Sequence, residues 1–149
     1  MILFLDFDGV LHPQYDGQAV PKDVAFCHLP RFEAVMRDFP QVDIVISSTW
    51  RTQFALEGLR AWFSPDIARR IIGVTPCLVA TGLPVPPSRE QEILQWMSMN
   101  QRTNEPWVAV DDMEWEFKAH RSKLVPCKSF LGFDDLAAQL LRQRLDVLE

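Results

Sequence analysis

The chain alternates short, nearly continuous apolar runs with longer stretches whose apolar residues recur at helical spacing. Ile2 to Asp6 is such a run, ending in acids and then Gly9, and it suits a strand buried on both faces at the centre of a parallel sheet. Val42 to Ile46 is a second, β-branched run with Ser47, Ser48 and Thr49 at its end, and Trp107 to Val110 is a third, ending in Asp111 and Asp112. Ile71 to Thr75 and Leu124 to Cys127 read as further short strands. Between the runs, Leu29 to Phe39 carries Phe32, Val35, Met36 and Phe39 at helical spacing and is closed by Pro40. Thr52 to Phe63 predicts an amphipathic helix through Phe54, Leu56, Leu59 and Trp62, and Pro65 to Arg70 a short one. Ser88 is an N-cap for a helix running to about Met99, with Glu90, Gln91 and Glu92 in its first turn. Asp134 to Leu148 predicts a last helix with Leu136, Leu140, Leu141 and Leu145 on one face. Val10 to His28, interrupted by Pro13, Gly17 and Pro21, reads as a loop or small hairpin, and Pro76 to Pro87, with four prolines and a glycine, as a rigid surface loop. Strands alternating with helices predict an α/β fold whose parallel sheet is covered on both faces.

Composition narrows the function classes. At 149 residues the expectation is one domain over 1–149 with one core, and 48% hydrophobic and 23% charged residues fit a soluble globular chain. A net charge of −5 disfavours a general nucleic-acid coat, which needs a clear Lys/Arg excess, while leaving room for a local basic patch. Cys27, Cys77 and Cys127 form no CxxC pair and have no His at metal-ligand spacing, so three buried, reduced thiols are expected. Asp6 and Asp8 interrupt the first apolar run before a signal peptide could be completed, and no stretch has the length to cross a bilayer; no membrane partner and a cytoplasmic location are the default expectations.

In open α/β sheets a ligand sits outside the carboxyl ends of the strands. Three predicted strands end there in Asp6 and Asp8, Ser47 and Ser48, and Asp111 and Asp112. Either acid pair alone would be read as turn formers and helix caps. Two pairs at one edge imply a hard, oxygen-preferring cation such as Mg²⁺, because adjacent buried carboxylates are costly without one.

DFDGV at Asp6 to Val10, after four apolar residues, resembles the first motif of the haloacid dehalogenase (HAD) superfamily. IVISS at Ile44 to Ser48 is similar to its second motif, an apolar strand ending in Ser or Thr. VAVDD at Val108 to Asp112, followed by Glu114 and Glu116, is similar to its fourth. Arg89 in PSREQEI resembles the third, a basic residue at the start of a helix; the superfamily more often has Lys there, so Lys123 and Lys128 stand as alternatives. The run of SSTWR, IIGVTP, Arg89 with EILQW, and VAVDD further resembles the HAD domains of Swiss Army knife RNA repair proteins.

The resemblance implies a Rossmann-like three-layer sandwich with a minimal cap or none, and a phosphatase that works through an aspartyl phosphate. Asp6 would be the nucleophile. Asp8 would be the general acid and base, which requires it to titrate away from its ordinary value. Ser47, or Ser48 if the strand runs one residue longer, would hydrogen-bond a phosphoryl oxygen, and Arg89 would offset charge on the transferring group. Mg²⁺ would be held by Asp6, the backbone carbonyl of Asp8 and Asp112, with Asp111 and Glu116 supporting it directly or through water.

The gaps between motifs are too short for a large cap, and an open site favours bulky substrates such as a polynucleotide end or a phosphoprotein, with small nucleotides also able to enter. Trp50 and Arg51 after the second motif and Trp115 after the fourth are candidates to stack on bases and clamp phosphates, although packing against the sheet and pairing with a nearby acid serve such side chains equally well. His12 and His28 are expected in or near the flap, where a lone histidine is more often structural than catalytic. The leading expectation is a phosphatase for phosphorylated nucleic-acid ends or nucleotides. The alternatives are a phosphatase for phosphoproteins or small metabolites and a catalytically silent phosphate-binding module.

Overall fold

The middle of the sheet is β1 (Ile2–Leu5), an all-apolar strand with both faces buried. In the computed structural model, which describes all residues except 16, 79–81 and 83, it is flanked by β2 (Asp43–Ile46) on one side and β4 (Trp107–Asp111) on the other. Outside these lie β3 (Ile71–Val74) and β5 (Leu124–Pro126), giving a five-stranded, all-parallel sheet in the order β3-β2-β1-β4-β5. This is the parallel α/β architecture the apolar runs predict and the Rossmann-like form the resemblance implies.

Strand alternation sorts the side chains into two layers. Leu3, Leu5, Ile44, Ile46, Val108 and Val110 pack with α1 (Leu29–Asp38) and α5 (Asp135–Leu148). Ile2, Phe4, Val45 and Ala109 turn the other way, onto Ile93, Trp96 and Met97 of α4 (Arg89–Met99). A full capping box opens α4, in which Ser88 Oγ accepts from Gln91 N and the Gln91 side chain returns to the Ser88 amide. Asp134 caps α5 through Ala137 N.

Three expectations need correction. The helix over Thr52 to Phe63 is a 3₁₀ turn at Thr49–Thr52 followed, after an extended Ala55, by a short α2 (Leu56–Arg60) and, beyond Ser64, α3 (Pro65–Ala68). The Ser48 hydroxyl caps the 3₁₀ turn at Trp50 N, so the chain tightens at once after β2 instead of starting an α-helix. In α5 the buried face runs through Ala137, Leu141 and Leu145, which leaves Leu136 on its flank, exposed. Of the cysteines only Cys127 is buried; Cys27 and Cys77 are exposed, and all three are free thiols. The loop expected over 76–87 lies partly outside the described residues. Among the described residues no helix is long and apolar enough to cross a membrane.

Order reverses at β1. The chain steps outward through β2 to β3, then returns by α4 to β4 on the opposite side, leaving a crevice between the carboxyl ends of β1 and β4.

Candidate active site

The sheet ladder continues one residue past the strands and sets the level of the site. Asp6 N donates to Val110 O at 3.1 Å, Ser47 N to Leu5 O at 2.9 Å and Cys127 N to Asp111 O at 2.9 Å. Asp6, Ser47 and Asp111 therefore emerge together at the carboxyl edge. Beyond Asp6 the chain makes one tight turn, with Val10 N and Leu11 N both donating to Phe7 O. The turn needs a positive φ at Gly9, +76°, and close approach as well: a Cβ there would lie 2.2 Å from Asp112 Oδ2.

Asp6, Asp111 and Asp112 are all buried and each offers a carboxylate oxygen within 4.8 Å of the others. The cation among them is Arg89, delivered by the first residue of α4: its Nη1 is 2.9 Å from Asp6 Oδ1 and 3.0 Å from Asp111 Oδ2. Asp111 Oδ1 also accepts from Met113 N, and Asp112 Oδ2 from Ser129 Oγ at 2.8 Å. Three carboxylates against one guanidinium leave two negative charges unbalanced, and the donor set is all oxygen, so the cluster fits a hard divalent cation such as Mg²⁺. The electrostatics record the shortfall. Burial, then the charge of Asp111, hold the Asp6 carboxyl well above the usual range, with Arg89 opposing them. Burial pushes Asp111 up to about 6 against the pull of Arg89 and the Met113 amide. The Cys127 thiol, just past β5, is also raised by burial and by Asp111 and Asp112, which keeps it protonated.

Asp8 stands apart from that cluster and is held at both oxygens. Phe26 N donates to His12 Nδ1 at 3.2 Å, so the proton of the His12 ring sits on Nε2, which donates to Asp8 Oδ1 at 2.7 Å. Trp50 Nε1 donates to Asp8 Oδ2 at 3.0 Å. Burial works to raise the Asp8 pKa, but these two bonds outweigh it and the net shift is downward. The departure from the ordinary value that the sequence reading requires therefore runs toward the ionised form. His12, fully buried, is the functional neighbour that sequence reasoning missed. Its spacing of four from Asp8 was the available signal, but the Phe26 amide that fixes its tautomer comes from the far end of the flap.

The remaining candidates divide. Ser47 lies directly beyond β2 and is buried beside the acids' level, whereas the Ser48 hydroxyl is used as a cap. Trp50 borders the site through Asp8. Arg51 does not: its Nε donates to Thr75 O, its Nη1 to Ser47 O and Ser48 O, and its Nη2 to Pro76 O and Glu92, so all five N–H groups are committed inside the protein and none is left for a phosphate. Lys123 immediately precedes β5, at the opposite edge, its Nζ 5.2 Å from the Trp107 ring, and is no alternative to Arg89. Lys128 follows β5 on the correct edge, exposed, and bonds no carboxylate among the described residues. Glu116 stays outside the three-acid cluster, in a 3₁₀ turn over Glu114–Glu116.

Two clefts flank the acids. One, about 730 Å³, is lined by Asp8 together with Lys22, Trp50, Phe54 and Trp62; the other, about 460 Å³, by Asp112, Met113, Ser129, Phe130 and Trp115. Trp115 thus lines the cleft beside Asp112, with its side chain exposed.

No curated protein and no solved structure matches the chain. The family described as "HAD domain in Swiss Army Knife RNA repair proteins" matches residues 2–138, from the first residue of β1 into α5. That span contains all four motifs and every acid described above, and the chain therefore belongs to this family of HAD domains and, through it, to the HAD phosphohydrolases at the superfamily level.

Proposed function

We propose that the chain is a Mg²⁺-dependent phosphomonoesterase that acts through an aspartyl phosphate on Asp6, on phosphorylated nucleic-acid ends or nucleotides. The observation that carries the reading is the buried cluster of Asp6, Asp111 and Asp112, in which the Arg89 guanidinium pairs with Asp6 and Asp111 and leaves Asp112 without a cationic partner among the described residues.

Asp6 attacks phosphorus in line, the bond to the leaving oxygen breaks, and Asp8 delivers a proton to that oxygen. A water then gives its proton to Asp8 and attacks the aspartyl phosphate, releasing inorganic phosphate and restoring Asp6. The His12 and Trp50 bonds favour ionised Asp8, the form the second step needs; the negative charge of an entering phosphoryl group favours its protonation for the first. Arg89 orients Asp6 and offsets charge on the phosphoryl oxygens, and Ser47 donates to one of them. Asp6, Asp112 and the Asp8 carbonyl would hold Mg²⁺, which would supply further neutralisation of the negative charge in the site. Asp111 is engaged on both oxygens by Arg89 and Met113 N, which suits it to position Arg89 and leaves Asp112 as the direct ligand. The preference for nucleic acid rests on the family description and on the aromatic clefts beside Asp8 and Asp112.

The test is phosphate release by wild type and Asp6→Asn from an aryl phosphate, mononucleotides, a phosphopeptide, and oligonucleotides bearing 5′ or 3′ phosphates. Wild type should turn over only with Mg²⁺ and prefer nucleotide substrates, and the variant should lose on the order of 10³-fold or more. Turnover surviving in Asp6→Asn overturns the nucleophile assignment, and a preference for the phosphopeptide overturns the substrate class.

A further inference from the structure

We infer that the cleft beside Asp8 is the leaving-group site and that it takes the base of a nucleoside, an inference that rests on the assignment of Asp8 as the acid. A group that protonates the leaving oxygen must touch it, so whatever carries that oxygen occupies the space Asp8 faces. That space is the cavity of about 730 Å³, within the roughly 300–1,000 Å³ range of small-molecule sites and far larger than a phosphate needs.

Its walls are aromatic and firmly based. The Trp50 ring is fixed against Asp8 by its Nε1 bond and stacks on Phe54, with centroids 5.5 Å apart at 29°. Trp62 lies on Phe26 at 4.2 Å and 19° and meets Trp50 edge to face. Each of these rings has a packed partner, yet Phe54 and Trp62 each leave 47% of their surface to solvent while lining the same cavity. Held rings with open faces are what base stacking uses. Gln53 and Lys22, the one cation among the described lining residues, add donors and acceptors that the polar edge of a base can use and the ring of a phosphotyrosine cannot. The −5 net charge of the chain is no obstacle, because stacking is insensitive to it. The two aromatic positions that helical spacing assigned to a buried face thus acquire a use at the surface.

The experiment compares KM for adenosine 5′- and 3′-monophosphate with KM for glycerol 2-phosphate and for a phosphotyrosine peptide, in wild type, Phe54→Leu, Trp62→Leu and the double variant. A tryptophan-fluorescence titration of wild type with unphosphorylated adenosine in Mg²⁺ runs alongside. The double variant should raise KM for the adenosine phosphates, relative to glycerol 2-phosphate, by about tenfold or more, the scale of one lost stacking contact. Adenosine should quench wild type saturably and compete with glycerol 2-phosphate. Equal changes for all substrates, or a change confined to the phosphotyrosine peptide, overturn the inference. If wild type hydrolyses no phosphoester, the functional reading fails by itself and the adenosine titration still decides the cleft: saturable quenching upholds it and none refutes it. That titration needs no variant to fold.

Discussion

Two groups of acids stand at opposite edges of the same sheet in opposite electrostatic surroundings. At the amino edge, Arg102 Nε and Nη2 both reach the Glu105 carboxylate at 2.6 Å and Nη2 reaches Asp43 at 2.8 Å, while the α-amino group of Met1 adds a contact to Glu105 at 3.1 Å. Water has partial access, and the hydrogen bonds from Arg102 bring Glu105 down to about 2. At the carboxyl edge three buried acids cluster, Arg89 pairs with two of them, Asp6 and Asp111, and the pKa values of Asp6 and Asp111 rise. Matched charge serves cohesion. Charge left unmatched in the interior lowers stability and fits a hard divalent cation.

The strongest way to break this contrast is to supply or refuse the missing cation. At a hundredfold excess over its Kd, Mg²⁺ should stabilise wild type by about 2.7 kcal/mol, and Asp112→Asn should lose most of that gain while being at least as stable as wild type in EDTA. Thermal melts with and without metal measure both. Undiminished stabilisation in the variant would mean that the acids are not the metal site.

A pH scan of the metal-free protein sharpens the contrast next, because the two edges respond in opposite directions. Asp111 has its folded pKa raised from 3.8 to about 6, so the folded state binds the extra proton, and its contribution is full below about pH 3.8 and lost as pH rises through 6. Glu105 has its folded pKa depressed from 4.5 to about 2, so its contribution is full above pH 4.5 and lost as pH falls toward 2. Asp111→Asn should make the decline between about pH 4 and 6 shallower, leaving the part that Asp6, also raised by burial, contributes, and should leave the acid limb. Denaturant midpoints across pH 2–7 read this out, and an unchanged slope in the variant would refute the assignment.

The smallest effect is expected at the amino edge itself. Arg102→Ala should cost about 1–2 kcal/mol, from partly exposed ion pairs and the contact of Arg102 with the Trp96 ring, and should flatten the acid limb. Turnover should stay within twofold of wild type, since no atom of this cluster is at the carboxyl edge; a large loss would show that the two edges are coupled.

Strands were legible in the sequence because apolar runs such as Ile2 to Leu5 and Trp107 to Val110 are buried on both faces and stop abruptly at acids. The same stops placed Asp6, Ser47, Asp111 and Asp112 at one edge, and the Ser88 N-cap placed Arg89 at the start of its helix. What failed was the inference that equated apolar spacing with a buried helix face. Phe54 and Trp62 fit a helical period but line a cleft, whereas Arg51, read either as a phosphate clamp or as the partner of a nearby acid, takes the second use on Glu92 and adds main-chain carbonyls. His12 acquires its meaning from a backbone amide fourteen residues on, brought back by a turn without periodic signature.

The Arg51 fork also has a mechanical consequence. Its bonds end on main-chain oxygens at Ser47, Ser48, Thr75 and Pro76 and on the Glu92 carboxylate, so it ties the ends of β2 and β3 to the first turn of α4. The distance from the second-motif serine to the helix that carries Arg89 is then fixed by a rigid strut and not by the chain that joins them. Between Leu78, whose amide also donates to Glu92, and Ser88, inserted or deleted residues should leave the span of the carboxyl edge unchanged, and length variation would be absorbed there at least cost to the site.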